Sequence, residues 1–139
     1  MLAPGPDAAV RARARTALYV HVPFCAAPCP YCHFSKEHLS AAAVERWLSG
    51  LEREAALRAP VAEGVAFSSV FFGGGTPSAI APHAFARAWR AVRANFTLER
   101  DAEITLEANP ETVKPGLLQA WAEAGVCAKA AEADFRGNP

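Results

Sequence analysis

Apolar residues recur along this 139-residue chain with two different spacings, and the switches between them mark six elements. Thr16 to Val22 (TALYVHV) is a short β-rich run closed by Pro23. Ser40 then stands as an N-cap before a helix reaching about Arg58, with Val44, Trp47, Leu48, Leu51 and Ala55 on one face. Val65 to Phe72 (VAFSSVFF) predicts a second strand that runs into Gly73, Gly74 and Gly75. A second helix from about Pro82 sets Phe85, Trp89, Val92 and Phe96 at helical intervals. Glu103 to Ala108 (EITLEA) predicts a third strand, turned at Asn109-Pro110. A third helix begins near Pro115, carries Leu117, Leu118 and Trp121, and stops at Gly125.

Strands alternating with amphipathic helices predict an α/β fold built on a parallel sheet with right-handed crossovers. In such sheets the loops after the strands' C-terminal ends form the active face. Three unusual segments fall there: a cysteine-rich loop, the glycine run, and Glu107 to Pro110. The tryptophans Trp47, Trp89 and Trp121 lie on helix faces and read as core.

Composition narrows the class. The chain is 52% hydrophobic and 20% charged, as expected of one globular domain with a real core. Fourteen basic and fourteen acidic residues cancel, so net charge favours neither nucleic acid nor an anionic membrane as partner. No apolar run approaches the length of a membrane span. Residues 1–15, with Pro4, Pro6 and Asp7 among the arginines, read as a flexible leader without the apolar segment of a secretory signal. Cysteines in a domain without an export signal point to metal binding or catalysis in the cytoplasm rather than to disulfides.

Three of the four cysteines, Cys25, Cys29 and Cys32, fall within eight positions of FCAAPCPYCHF. Three thiolates on one loop can converge on a metal. A structural zinc site needs a fourth ligand, and His21, His33 and His38 are near enough in sequence to keep zinc open. A 4Fe–4S cluster normally takes four cysteines; with three, one iron is left for an exogenous ligand. Cys127 is far away in sequence.

The CxxxCxxC spacing after a first strand resembles the signature of the radical S-adenosylmethionine (SAM) superfamily. The longer string LYVHVPFCAAPCPYCHF is similar to the oxygen-independent coproporphyrinogen III oxidase family and its haem-chaperone (HemW-type) branch. FFGGGTPS at Phe71 to Ser78 and ITLEANPET at Ile104 to Thr112 match the same family in order. The resemblance covers about Leu18 to Val126 and implies a parallel (βα)3 unit, the N-terminal half of a partial (β/α)6 barrel. It implies that Cys25, Cys29 and Cys32 each hold one iron of a 4Fe–4S cluster and that SAM chelates the fourth. An electron from a donor such as flavodoxin or ferredoxin then splits a carbon–sulfur bond of SAM to give a 5′-deoxyadenosyl radical. Gly74, Gly75 and Thr76 would meet the amino-acid end of SAM, and Glu107 its ribose. Tyr19 and Tyr31 match positions near the cluster and SAM, Tyr31 lying against the adenine. Tyr19 reads equally well as strand packing, Glu107 as a solvent-facing charge, and His21 as a structural residue of the first strand.

The oxidase usually carries a further cysteine two positions after the third. Here Phe34 stands in that place, after His33, and this tilts the family choice toward the haem chaperone, whose members bind haem and pass it to haem proteins. Family members run to more than twice this length. Residues 127–139 (CAKAAEADFRGNP) show no strand pattern, so 16–126 reads as a partial core domain followed by a non-family tail. On this reading the chain is an N-terminal fragment. A structural zinc or iron–sulfur protein and a non-functional fragment stand as readings of another class.

Overall fold

In the computed structural model, residues 15–25, 35, 37–113, 115–123 and 125–126 are described. The expectations for Cys29, Tyr31, Cys32, His33, Phe34, the tail and all of the leader except Arg15 lie outside these residues. Strand β1 (Ala17–Val22) leads through Pro23 into the two-residue β2 (Phe24–Cys25), which pairs in parallel with β3 (Glu37–His38). Helix α1 (Ala41–Arg58) ends in a 3-10 turn, Ala59–Ala62. Strand β4 (Ala66–Gly74), a 3-10 turn (Pro77–Ala79), α2 (Pro82–Asn95), β5 (Thr97–Leu106) and α3 (Pro115–Glu123) follow.

The main sheet has the order β1-β4-β5 and is parallel throughout. Side-chain alternation divides it cleanly. Val20, Val22, Val70, Phe72, Ile104 and Leu106 are buried among Leu48 of α1, Phe85, Trp89 and Val92 of α2, and Leu117 and Trp121 of α3. The helical spacings read from the sequence therefore point where they should, except that Leu118 is exposed. On the opposite face lie Tyr19 and Phe71, both exposed, with His21, Gly73 and Thr105 in register beside them.

Local signals set the helix ends. Ser40 Oγ accepts the Ala43 amide at 3.2 Å, satisfying one unpaired donor at the start of α1. Gly125, at φ +79°, closes α3: its amide reaches Ala122 O at 3.0 Å and the Val126 amide reaches Trp121 O at 2.9 Å. That pair of bonds is the Schellman ending, which needs a residue content in the left-handed region. Arg87 of α2 grips two carboxylates of α1, meeting Glu45 at 2.8 Å and Glu52 at 2.7 Å. The Arg87 hydrogen bond holds the Glu52 carboxyl below its usual pKa and raises that of the guanidinium.

Several boundaries differ from the sequence reading, among them the end of the third strand, which stops at Leu106 instead of Ala108. Strand β5 starts at Thr97, directly after α2, because Thr97 and Leu98 pair with Ala66 and Phe67 before an irregularity breaks the ladder. Register resumes at Glu103, opposite Ser69, where the periodic apolar pattern begins. Strand β4 runs on through Gly73 and Gly74 instead of stopping at Phe72, since both still pair with β1.

Candidate functional site at the strand ends

The C-terminal ends of β1, β4 and β5 bring three of the predicted segments together. After Val22 the chain passes Pro23 and enters Phe24–Cys25, still in hydrogen-bond contact with β4: the Gly75 amide donates to Val22 O at 2.8 Å and the Thr76 amide to Phe24 O at 2.6 Å. A Cβ at Gly75 would stand 2.5 Å from Phe24 O and 2.9 Å from Phe24 N and C. Only glycine lets the two backbones come this close. The third glycine of the run therefore seats the segment that begins the cysteine loop, and Cys25 is held half-buried, with no disulfide partner among the described residues.

The middle glycine meets a different demand. Gly74 has φ +118°, and a Cβ there would strike the His21 ring. Its amide donates to Glu107 Oε2 at 2.9 Å. Glu107 follows directly on the last residue of β5, and its own amide still donates to Phe72 O at 3.0 Å. A Cβ at Gly73 would collide with the Phe71 ring and lie 3.2 Å from the Glu107 carboxyl carbon. Glu107 is half-buried against the glycine run, so it is not a freely solvated charge. Thr76, also half-buried, begins the 3-10 turn after β4.

Tyr19 projects from β1 onto the open face, 53% exposed, with its ring stacked on Phe71 at 5.9 Å. That stack on its register partner is cross-strand packing, made on the exposed face and not in the core. The Tyr19 hydroxyl lies 2.9 Å from His21 Nδ1, and His21 Nε2 lies 3.1 Å from Ser35 O. A carbonyl can only accept, so Nε2 carries a proton and donates to Ser35 O; in the tautomer protonated only there, Nδ1 accepts from the tyrosine. Partial burial first, and the Glu107 carboxylate second, push the Tyr19 hydroxyl pKa above the ordinary tyrosine value.

His21 thus ties β1 to the chain ten residues beyond Cys25, and Trp47 Nε1 donates to the His21 carbonyl at 2.9 Å. Glu37 N donates to Pro23 O at 2.7 Å, and the Glu37 carboxylate meets Arg46 at 2.6 Å. His38 is the register partner of Cys25, but among the described residues no group of three or more His, Cys, Asp or Glu side chains is placed to hold a metal ion.

Sequence reasoning placed Phe71, Ser78 and Asn109 within these segments but gave none of them a role at the site. Ser78 is buried and accepts the Asn109 amide at 2.9 Å. The signal available was its place in TPS after the glycine run, with no hint of the partner 31 residues on.

What fits here chemically is a ligand with both polar and planar parts. Gly74 and Gly75 are half-buried with no side chain over the main chain, the Glu107 carboxylate accepts hydrogen bonds, and a tyrosine ring lies on the same face. At the head of the loop a half-buried thiol suits a soft metal. The donor set on these elements is thus compatible with the cluster and SAM that the motifs imply.

Residues 19–130 match the Radical SAM superfamily. The chain is 42% identical over 125 residues to the mitochondrial radical S-adenosyl methionine domain-containing protein 1 of Bos taurus, covering 88% of this chain and 28% of that one. It is 38% identical over 114 residues to the heme chaperone HemW of Escherichia coli, covering 78% and 29%. The solved structure of coproporphyrinogen III oxidase (HemN) from Escherichia coli superimposes with a TM-score of 0.74 at 32% identity, covering 88% of this chain and 30% of that one. The chain thus spans less than a third of the length of these relatives.

Proposed function

The chain belongs to the radical SAM superfamily, its parallel α/β unit being part of that fold, and from this premise we propose that it binds a 4Fe–4S cluster and SAM at the strand ends. One observation carries the reading. The start of the cysteine loop, the glycine run and Glu107 are bonded directly to one another, through Gly75 N to Val22 O, Thr76 N to Phe24 O and Gly74 N to Glu107 Oε2.

In this reading Cys25, Cys29 and Cys32 hold three irons. Gly74, Gly75 and Thr76 receive the amino-acid end of SAM. Glu107 accepts from the ribose, with Tyr19 and Tyr31 beside the adenosyl group. When bound, the cluster supplies the electron that cleaves a carbon–sulfur bond of SAM. The protein's own part is to fix the two reactants and to keep water from the reacting centre. Among the described residues no helix is long and apolar enough to cross a membrane; cytoplasmic location and an electron donor such as flavodoxin or ferredoxin complete the proposal.

For the physiological role we favour a haem chaperone over the oxidase. The support is His33-Phe34 after the third cysteine, where the oxidase carries a further cysteine, together with the 38% identity to the E. coli heme chaperone. Haem and haem-receiving proteins are then its ligand and partners.

Anaerobic reconstitution tests the reading. Iron and sulfide are expected in the wild-type chain and in Cys127→Ala, and are expected to be lost in Cys25→Ala, Cys29→Ala and Cys32→Ala. Survival of the cluster in any of the three overturns the assignment, as does zinc in place of iron. Haem titration separates the roles: a chaperone binds haem, whereas the oxidase reading expects decarboxylation of coproporphyrinogen III.

A further inference from the structure

Ser78 is the buried polar side chain among the described residues, 1% exposed, and every hydrogen bond at its hydroxyl can be given a direction. The Asn109 amide lies 2.9 Å from Ser78 Oγ and must donate. Thr112 Oγ1 lies 2.9 Å from Asn109 O, which must accept. The 2.5 Å contact between the two hydroxyls is therefore donated by Ser78 and accepted by Thr112. The three bonds form a closed relay that starts and ends on Asn109. Removing either hydroxyl breaks its continuity.

The relay joins Asn109, two residues after Glu107, to Ser78, four residues after Gly74. In a parallel ladder, once the Glu107 amide has reached Phe72 O, the Gly74 amide would next meet the main-chain carbonyl of residue 107. It meets the Glu107 side chain instead, because β5 has ended and the chain is turning away. That turn is the one Ser78 grips. Asn109 Oδ1 adds a bond from the Glu111 amide at 3.0 Å, and the Thr112 amide reaches Asn109 O at 2.9 Å.

We propose that Ser78 is a positioning residue for Glu107: its hydroxyl relay fixes the exit of β5 so that the carboxylate, and not the main chain, takes the Gly74 amide. The consequence for SAM rests on the reading of Glu107 as a SAM contact; the consequence for Gly74 does not.

Amide exchange in the metal-free protein tests the relay directly. Ser78→Ala, and the volume-conserving Thr112→Val, are each expected to speed exchange at the Gly74 amide about tenfold, on the scale of one hydrogen bond. Ser40→Ala, which weakens the N-cap of α1 and removes no bond of the relay, is the control for lost global stability. If Gly74 exchanges no faster in either relay variant than in Ser40→Ala, the proposal is overturned. Titration of the reconstituted protein with SAM adds the second readout. Ser78→Ala is expected to weaken SAM binding about tenfold, but to have no further effect in a Glu107→Ala background. Additive losses in the double variant would also overturn it. A wild-type chain that binds no SAM would sink the functional reading, while the exchange comparison still decides the role of Ser78.

Discussion

Replacing Gly75 by alanine perturbs the joint between the glycine run and the cysteine loop. The new Cβ would stand 2.5 Å from Phe24 O, whereas ordinary contacts begin near 3.4 Å, so the two backbones must part by about 0.9 Å. That movement stretches the 2.6 Å bond from Thr76 N to Phe24 O to the limit of hydrogen bonding, and strains the 2.8 Å bond from Gly75 N to Val22 O. Phe24 cannot retreat freely, being fully buried with its ring edge-on to Trp47 at 5.8 Å. Two weakened backbone bonds at about 1 kcal/mol each, with about 1 kcal/mol of overpacking, give a loss of about 3 kcal/mol. For a chain this size that lowers the melting temperature by about 10 °C. Calorimetry or far-UV circular dichroism on the metal-free protein measures it. Gly50→Ala is the counter-test, for Gly50 lies inside α1 with nothing within 4 Å of its Cβ position and is expected to gain up to about 1 kcal/mol. Reconstituted Gly75→Ala should also hold less iron, because Cys25 follows Phe24 directly. An unchanged melting temperature in Gly75→Ala would refute the close-approach argument.

Ser40→Ala removes the cap on Ala43 N and is expected to destabilise the fold by about 1 kcal/mol in urea unfolding. Phe85→Ala empties a fully buried site against Phe72 and Trp121 and should cost about 4 kcal/mol, the largest loss among these variants. The Glu52 carboxyl is held below its ordinary pKa of 4.5 by Arg87, so the stability it contributes is present above that value and lost as pH falls through the lower folded value. Melting curves of wild type and Glu52→Gln should therefore differ at neutral pH and converge on acidification.

Much of this architecture was legible from local pattern. The Ser40 cap, the Gly125 stop and the order of strands and helices follow from interactions within a turn or two of sequence, and the structure repeats them. The placement of Cys25, the glycines and Glu107 at one end of a parallel sheet followed from connectivity alone, since every strand of such a sheet points the same way. The start of β5 was not legible, because Thr97 to Ala102 pairs irregularly and carries no apolar alternation to announce a strand.

The particular partnerships were decided only in three dimensions. The sequence marked Gly75 as permissive, but the reason it must be glycine is the Phe24 backbone, 51 positions earlier. It offered Glu107 as a carboxylate among three on one stretch, and only the register of β5 on β4 singles it out to meet Gly74. Ser78 carried no signal of its role, since its partners come from a turn that reaches it through that same register. Periodicity encodes which face of an element is buried, because burial acts residue by residue along the chain. It does not encode which residue of one strand lies beside which of another, because that alignment is set by the packing of the whole sheet.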